Sequence, residues 1–302
     1  MRDTKNLPLE RRFLVSFVPA HYETLPRVVV REGYLATDGN PDVKIAQIGR
    51  RFSIVTAANG ALDRRGDTRL NSRQFAALWP ATLRSQSERE RTILHWGGFR
   101  VALDRFRNPL AGFILARVPI AGGSDGFVPP AWFGPEVTGD SNFTDWNLAR
   151  VDPEKIKTVF GPLLQPVAQA AGAVPFMVVS GELKVVVITT KSKSRWIFPK
   201  GTPDPKLSAE ELALVEAKEE AGVVGTLIGT SSEVHYWSGY RCSLIRYFPM
   251  KVESLNDNWD ERAQRDRRVC TIAEAAGLLA DRSFIELLEK FRMTAARTTG
   301  RI

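Results

Sequence analysis

The stretch that most constrains this chain is a short polar turn followed by an acid-rich helix whose two ends are written into the sequence. It reads Arg195-Trp196-Ile197-Phe198-Pro199-Lys200-Gly201, a polar loop, then Ser208 through Glu220 and Ala221-Gly222-Val223. Ser208 is a good N-cap, and Glu211, three positions on, can reach back to it and close a capping box. Gly222 stands where a helix commonly turns off through a left-handed residue. At 3.6 residues per turn, Glu216, Glu219 and Glu220 fall within an arc of roughly 100°. Leu214, Ala217 and Ala221 share the opposite side and are expected to pack on a core.

Three carboxylates on one side of a helix repel one another unless a cation sits among them. A solvated acidic face is one explanation. A hard divalent cation is the other: Mg²⁺, with Mn²⁺ as its substitute, takes oxygen ligands and keeps waters and substrate phosphates in its shell. The upstream bases favour the cation. Lys191, Lys193, Arg195 and Lys200 gather around the turn before the helix, and such groups suit a polyphosphate. The expected chemistry is metal-assisted cleavage of a phosphoanhydride. Glu216, Glu219 and Glu220 are its catalytic and metal-holding residues, and Lys193, Arg195, Lys200 and Gly201 meet the phosphates. The base for the attacking water is one of the three glutamates or Glu261.

These residues resemble the Nudix box, G-x5-E-x7-R-E-U-x-E-E-x-G-U, where U is a bulky apolar residue. Gly201, Glu216, Glu219, Glu220, Gly222 and Val223 fall at the matching spacings. Leu207 replaces the first Glu, Val215 replaces the Arg, and Ala217 is a small U. The Trp-Ile-Phe-Pro-Lys-Gly lead-in and the atypical loop are similar to a bacterial branch related to diphosphoinositol polyphosphate phosphohydrolases. The resemblance implies an α/β/α sandwich and a Mg²⁺-dependent hydrolase. Its substrate would be a nucleoside polyphosphate, a dinucleoside polyphosphate or an inositol pyrophosphate. The two departures also open a second reading, a non-catalytic sensor of polyphosphate or nucleotide.

The first half is of another kind. Short β-branched runs at Phe13–Val15, Arg27–Arg31, Val43–Ala46, Phe52–Val55, Phe99–Asp104 and Gly112–Val118 read as strands. Gly39-Asn40-Pro41 and Asn59-Gly60 are the expected turns between them, and Asn71 caps a short helix. Consecutive strands with little helix imply a mostly antiparallel sheet, whose closure into a barrel would remove its edges. Glu10 through Val15, Gly33-Tyr34-Leu35, Leu78-Trp79-Pro80, Asp104 through Gly112 and Glu136 through Asp140 resemble, in order and spacing, the CYTH family. That resemblance implies a triphosphate-tunnel barrel with inward cations and metal-holding glutamates. Arg12, Lys44, Arg89 and Arg91 match its basic positions, whereas its acids fall on Gly66, Thr68, Ala102, Arg117 and Pro119. A tunnel with its bases kept and its acids lost is expected to be non-catalytic, with those four cations as a candidate accessory polyphosphate site.

The fold class expected is therefore α+β in two domains: residues 1–150 a mostly antiparallel barrel, 151–172 a connection, and 173–302 the α/β/α sandwich. At 302 residues the chain can hold two cores. Of its net charge of +8, residues 1–150 carry the larger share, with 21 Lys+Arg against 15 Asp+Glu. The cations are dispersed along strands without interleaved aromatics, which argues against nucleic-acid partners other than RNA 5′ ends. The partner expected is a small polyphosphate-containing substrate; no membrane partner is implied, and oligomeric state is not encoded legibly. No apolar leader is visible, and the only cysteines, Cys242 and Cys270, have no paired spacing. Both fit a reducing cytoplasm.

Overall fold

The computed structural model describes residues 10–35, 42–57, 64–82, 84–120, 126–279 and 281–299. The chain divides into two compact units. One comprises Met1–Pro166 with Gly239–Arg241, the other Val167–Ser238 with Cys242–Ile302.

The first unit is built on β1 (Glu10–Val15), β2 (Arg27–Tyr34), β3 (Asp42–Ile48), β4 (Arg51–Ala57), β5 (Arg64–Leu70), β6 (Gln86–Trp96), β7 (Phe99–Asn108) and β8 (Ile114–Pro119). They form one sheet in the order β1-β8-β7-β6-β2-β3-β4-β5. Its pairings are antiparallel throughout. Among the described residues β1 and β5 end the ladder. The sheet nonetheless curls. Asp145 acts electrostatically on both Arg117 of β8 and Lys44 of β3, strands that a flat sheet would hold about 19 Å apart. One face carries Phe13, Val15, Leu94, Val101, Leu103 and Ile114 in an apolar cluster with Phe127 and Phe133. The concave face carries charge. The helix Ser72–Leu78 has the expected Asn71 cap, closed as a capping box by Gln74. The turns expected at Gly39–Pro41 and Asn59–Gly60 lie outside the described residues.

Two of these strands have no counterpart in the sequence reading. In β6 the run Ser87-Glu88-Arg89-Glu90-Arg91 is polar on both faces, and β5 reads Arg-Arg-Gly-Asp-Thr-Arg-Leu. Neither shows the alternation by which a strand is recognised.

The second unit has β9 (Ala168–Val179), β10 (Glu182–Thr189), β11 (Trp196–Ile197), β12 (Lys200–Gly201), β13 (Val223–Leu227), β14 (Ser232–Ser238), β15 (Arg241–Leu255) and β16 (Arg267–Thr271). The main path runs β11-β10-β9-β15-β13, with β12 on β9, β14 on β15 and β16 on β10. The β9–β15 pair is parallel. The β9–β10 hairpin turns through Ser180 and Gly181, both at positive φ. Helices cover both faces, giving the α/β/α sandwich. Ala171 lines the same cavity as Ala209 and Leu212 of the acidic helix. Phe176, on the opposite pleat, meets Phe291 of the terminal helix at 5.1 Å.

Before β9 the chain is helical from Pro153 to Leu164. The terminal helix is capped by Asp281. Asp281 accepts from Ser283 N–H at 2.9 Å, while the Ser283 hydroxyl donates to His235 O. That helix spans Arg282–Thr299. No helix among the described residues is long and apolar enough to cross a membrane.

Candidate active site

The acidic helix spans Ala209–Ala221 with the cap that its sequence encodes: Ser208 accepts from Glu211 N–H and Glu211 accepts from Ser208 N–H. Gly222 closes it at φ 62°. Any side chain there would be strained and would meet Asn256 O at 2.9 Å. Leu212, Ala213, Ala217 and Ala221 are buried, as is Glu220 at 6% exposure, while Leu214 is half-buried. The three glutamates therefore do not share one solvated stripe. Glu219 is exposed, Glu216 is half-buried and Glu220 reaches the interior.

Each environment has a cause. Lys200 N–H donates to Glu220 Oε2 at 2.9 Å, and the Arg265 guanidinium bonds Glu220 Oε1. Burial pushes the Glu220 carboxyl up to about 7, against the opposing pull of Lys200 N–H and Arg265. Glu216 lies against Gly201 so closely that a Cβ at that glycine would stand 1.7 Å from Glu216 Oε1. Burial raises the Glu216 carboxyl, and the like charges of Glu219 and Glu261 add to this. Glu261 is different. Burial works to raise it, but hydrogen bonds from Lys191 and Arg265 prevail and hold it below its usual range.

Of the four expected phosphate-binding positions, Lys200 and Gly201 stand at the carboxylates. Lys200 acts electrostatically on Glu216. The Arg195 guanidinium lies 5.6 Å from the Tyr236 ring centroid, and Lys193 pairs with Asp266 at 2.9 Å. Lys191 pairs with Glu261 at 2.6 Å. Arg265, which sequence reasoning missed, is the central cation. It sits in the charge-dense run Arg262–Arg268, where neither spacing nor periodicity separates it from its neighbours.

No three His, Cys, Asp or Glu side chains among the described residues form a ready-made metal cage. A Mg²⁺ ion does not need one, because it binds through one or two carboxylates together with waters and substrate phosphate. The Glu216 and Glu219 side chains make no hydrogen bond or ion pair among the described residues, and Glu216 lies in a cradle that a Cβ at Gly201 would fill. This donor set fits a hard divalent cation. Gly201→Ala should displace Glu216 and lower turnover about tenfold or more while leaving the circular dichroism spectrum unchanged. An unchanged kcat would show that the contact is unimportant.

The concave face of the first unit is a buried charge network. Arg89 meets Asp104 at 2.9 Å and Glu32 at 2.6 Å. Arg91 meets Asp104 at 2.6 Å, and Lys44 meets Glu32 at 2.9 Å. Arg12 meets Glu10 at 2.6 Å and Asp145 at 3.5 Å. Arg117, on the position of a lost family acid, meets Asp104 at 2.8 Å, Glu10 at 3.0 Å and also Asp145. The four expected cations are thus brought together, but the premise of a lumen stripped of acids is corrected. Glu10, Glu32, Asp104 and Asp145 enter it and neutralise the bases. Burial alone would raise Asp104, yet Arg89, Arg91 and Arg117 hold it below its ordinary value.

A curled antiparallel sheet with a charged interior in one unit, and in the other an α/β/α sandwich presenting glutamates to a Pro-Lys-Gly turn, define a two-part protein of the phosphoanhydride hydrolase class. No protein-family model matches the chain. It is 32% identical over 146 residues to the inorganic triphosphatase of Nitrosomonas europaea, covering 47% of this chain and 95% of that protein. It is 33% identical over 130 residues to the chloroplastic Nudix hydrolase 21 of Arabidopsis thaliana, covering 41% and 65%. It is 30% identical over 122 residues to the mitochondrial Nudix hydrolase 18 of the same plant, covering 37% and 69%. The chain thus spans about two thirds of each of those Nudix relatives. It belongs to the Nudix hydrolases through its acidic-helix unit, fused to a CYTH-type triphosphatase fold.

Proposed function

We propose that the second unit hydrolyses a P–O–P linkage in a nucleoside polyphosphate, a dinucleoside polyphosphate or an inositol pyrophosphate. The observation that carries this reading is the stacking of Glu216 and Glu220 against the Lys200–Gly201 turn, where acids and a base converge. Glu216 and Glu219, backed by Glu220, would hold Mg²⁺ or Mn²⁺. Bound there, the ion would polarise a phosphoryl oxygen and lower the pKa of the attacking water. Lys200, and Arg195 once drawn off Tyr236, offset charge on the phosphoryl group under attack. Water oxygen bonds to phosphorus, the bridging P–O bond breaks, and the bridging oxygen leaves with the departing phosphate. The water proton goes to a carboxylate. One of the three glutamates or Glu261 takes it; Lys191 and Arg265 hold Glu261 ionised and so able to accept a proton.

The test is a panel of diadenosine polyphosphates, inositol pyrophosphates, nucleoside triphosphates and capped RNA ends. The full chain is assayed with Mg²⁺, with Mn²⁺ and with chelator. Divalent-dependent release of phosphate, pyrophosphate or nucleotide from one class is expected; none from any class would leave a sensor. The buried thiols Cys242 and Cys270 fit action in the cytoplasm.

For the first unit we favour a structural role, because carboxylates hold all five cations of its charged face. Millimolar tripolyphosphate should not move the melting temperature attributable to that unit. A rise of several degrees would restore Arg12, Lys44, Arg89 and Arg91 as a polyphosphate site.

A further inference from the structure

The helix bearing Glu216, Glu219 and Glu220 carries one base of its own, Lys218, and that base is exposed. No residue of the helix places a cation on its buried carboxylate, and Val215 offers none. The guanidinium arrives from another element. Arg265 is 6% exposed. Its Nε donates to Glu261 Oε2 at 2.5 Å, its Nη1 to Thr189 O at 2.9 Å, and its Nη2 to Glu220 Oε1.

The fork is itself held in place. Thr189 ends β10. Its hydroxyl accepts from Asp266 N–H at 2.9 Å, and its own N–H donates to Asp266 O at 2.9 Å. The residue after Arg265 is therefore pinned to the sheet. With Lys200 N–H on the second oxygen of Glu220, both of its oxygens are fixed by groups that cannot follow a moving side chain.

We propose that Arg265 is the positioning residue of this site, a guanidinium supplied from outside the helix that locks Glu220 and Glu261 in register with the Lys200–Gly201 turn. The inference rests on the hydrolase reading above. A lysine could supply the charge but not three donors in one plane, so this role requires arginine. Arg265 touches no reacting atom. It acts through Glu220.

The experiment compares Arg265→Lys, Arg265→Met and the control Lys218→Met in the full chain. Mn²⁺ alone is titrated by electron paramagnetic resonance, melting temperature is recorded, and kcat and KM are measured on the substrate that the panel identifies. Both Arg265 variants should bind Mn²⁺ about tenfold more weakly and lose kcat about a hundredfold with KM little changed. Lys218→Met should match the parent in all three. A folded Arg265→Lys with parental Mn²⁺ affinity and kcat overturns the proposal, since charge alone then suffices. Should neither Arg265 variant fold, Glu261→Ala releases one arm of the fork and should also weaken Mn²⁺ binding; parental affinity there overturns the proposal. A parent that binds Mn²⁺ but turns over no substrate would end the hydrolase reading, while the Mn²⁺ comparison would still decide the role of Arg265.

Discussion

Glu220→Gln should cut turnover about a thousandfold, equivalent to ~4 kcal/mol at the transition state, and should do so without unfolding the protein. Glutamine keeps one oxygen, for the Arg265 guanidinium or for Lys200 N–H, and its amide NH2 replaces the other acceptor, so one of the two hydrogen bonds is lost with the charge, as it is when the carboxyl is protonated. The accompanying change in stability makes the result diagnostic. The folded-state carboxyl is raised to about 7 from an ordinary 4.5, so the native state holds that proton more tightly than the unfolded chain. Its favourable contribution is complete below about 4.5 and is lost as pH rises through about 7. In the absence of metal at pH 8, Glu220→Gln should therefore melt a few degrees higher than the parent, and at pH 4.5 the two should agree. Lower turnover together with lower stability at pH 8 would mean that Glu220 is a structural acid.

Asp104→Asn should have the largest effect on the first unit. Asp104 is fully buried and is the shared partner of Arg89, Arg91 and Arg117. Asparagine preserves the shape but leaves three guanidinium groups facing one another with less compensation. Removing one partner of a buried ion pair typically costs about 3–5 kcal/mol. Calorimetry should show the transition of the first unit lowered by about 10 °C, with that of the second unit in place. The pH dependence runs opposite to that of Glu220. Asp104 is held below its ordinary value, so its contribution is present above about 4 and is lost on acidification. A neutral outcome would show that the network is redundant around Asp104.

The two units were legible to different degrees, for a physical reason. In the second, the Ser208–Glu211 capping box, the Gly222 stop and the Ser180-Gly181 turn are local devices, and each appears where its residues place it. In the first, apolar strands such as Phe99–Asp104 declare themselves by alternation, but β5 and β6 do not: β6 turns ionic residues to the concave face, and β5 carries the exposed polar run Asp67-Thr68-Arg69. Arg89 is a polar residue in sequence and a core residue in space. No local rule could separate it from a surface arginine, since what makes it interior is Glu32 on β2 and Asp104 on β7.

The sequence by itself determined the acidic helix with both its ends, the turn that faces it, the class of phosphate chemistry, and two dissimilar halves. Only the tertiary structure decided which charges are spent on one another. It set Glu220 on Arg265, Glu261 between Lys191 and Arg265, and the cations of the curled sheet on four carboxylates drawn from distant positions. Local propensities act over a few residues and can be read along the chain. Ion pairing depends on distance and burial, which exist only once strands and loops far apart in sequence have been packed side by side.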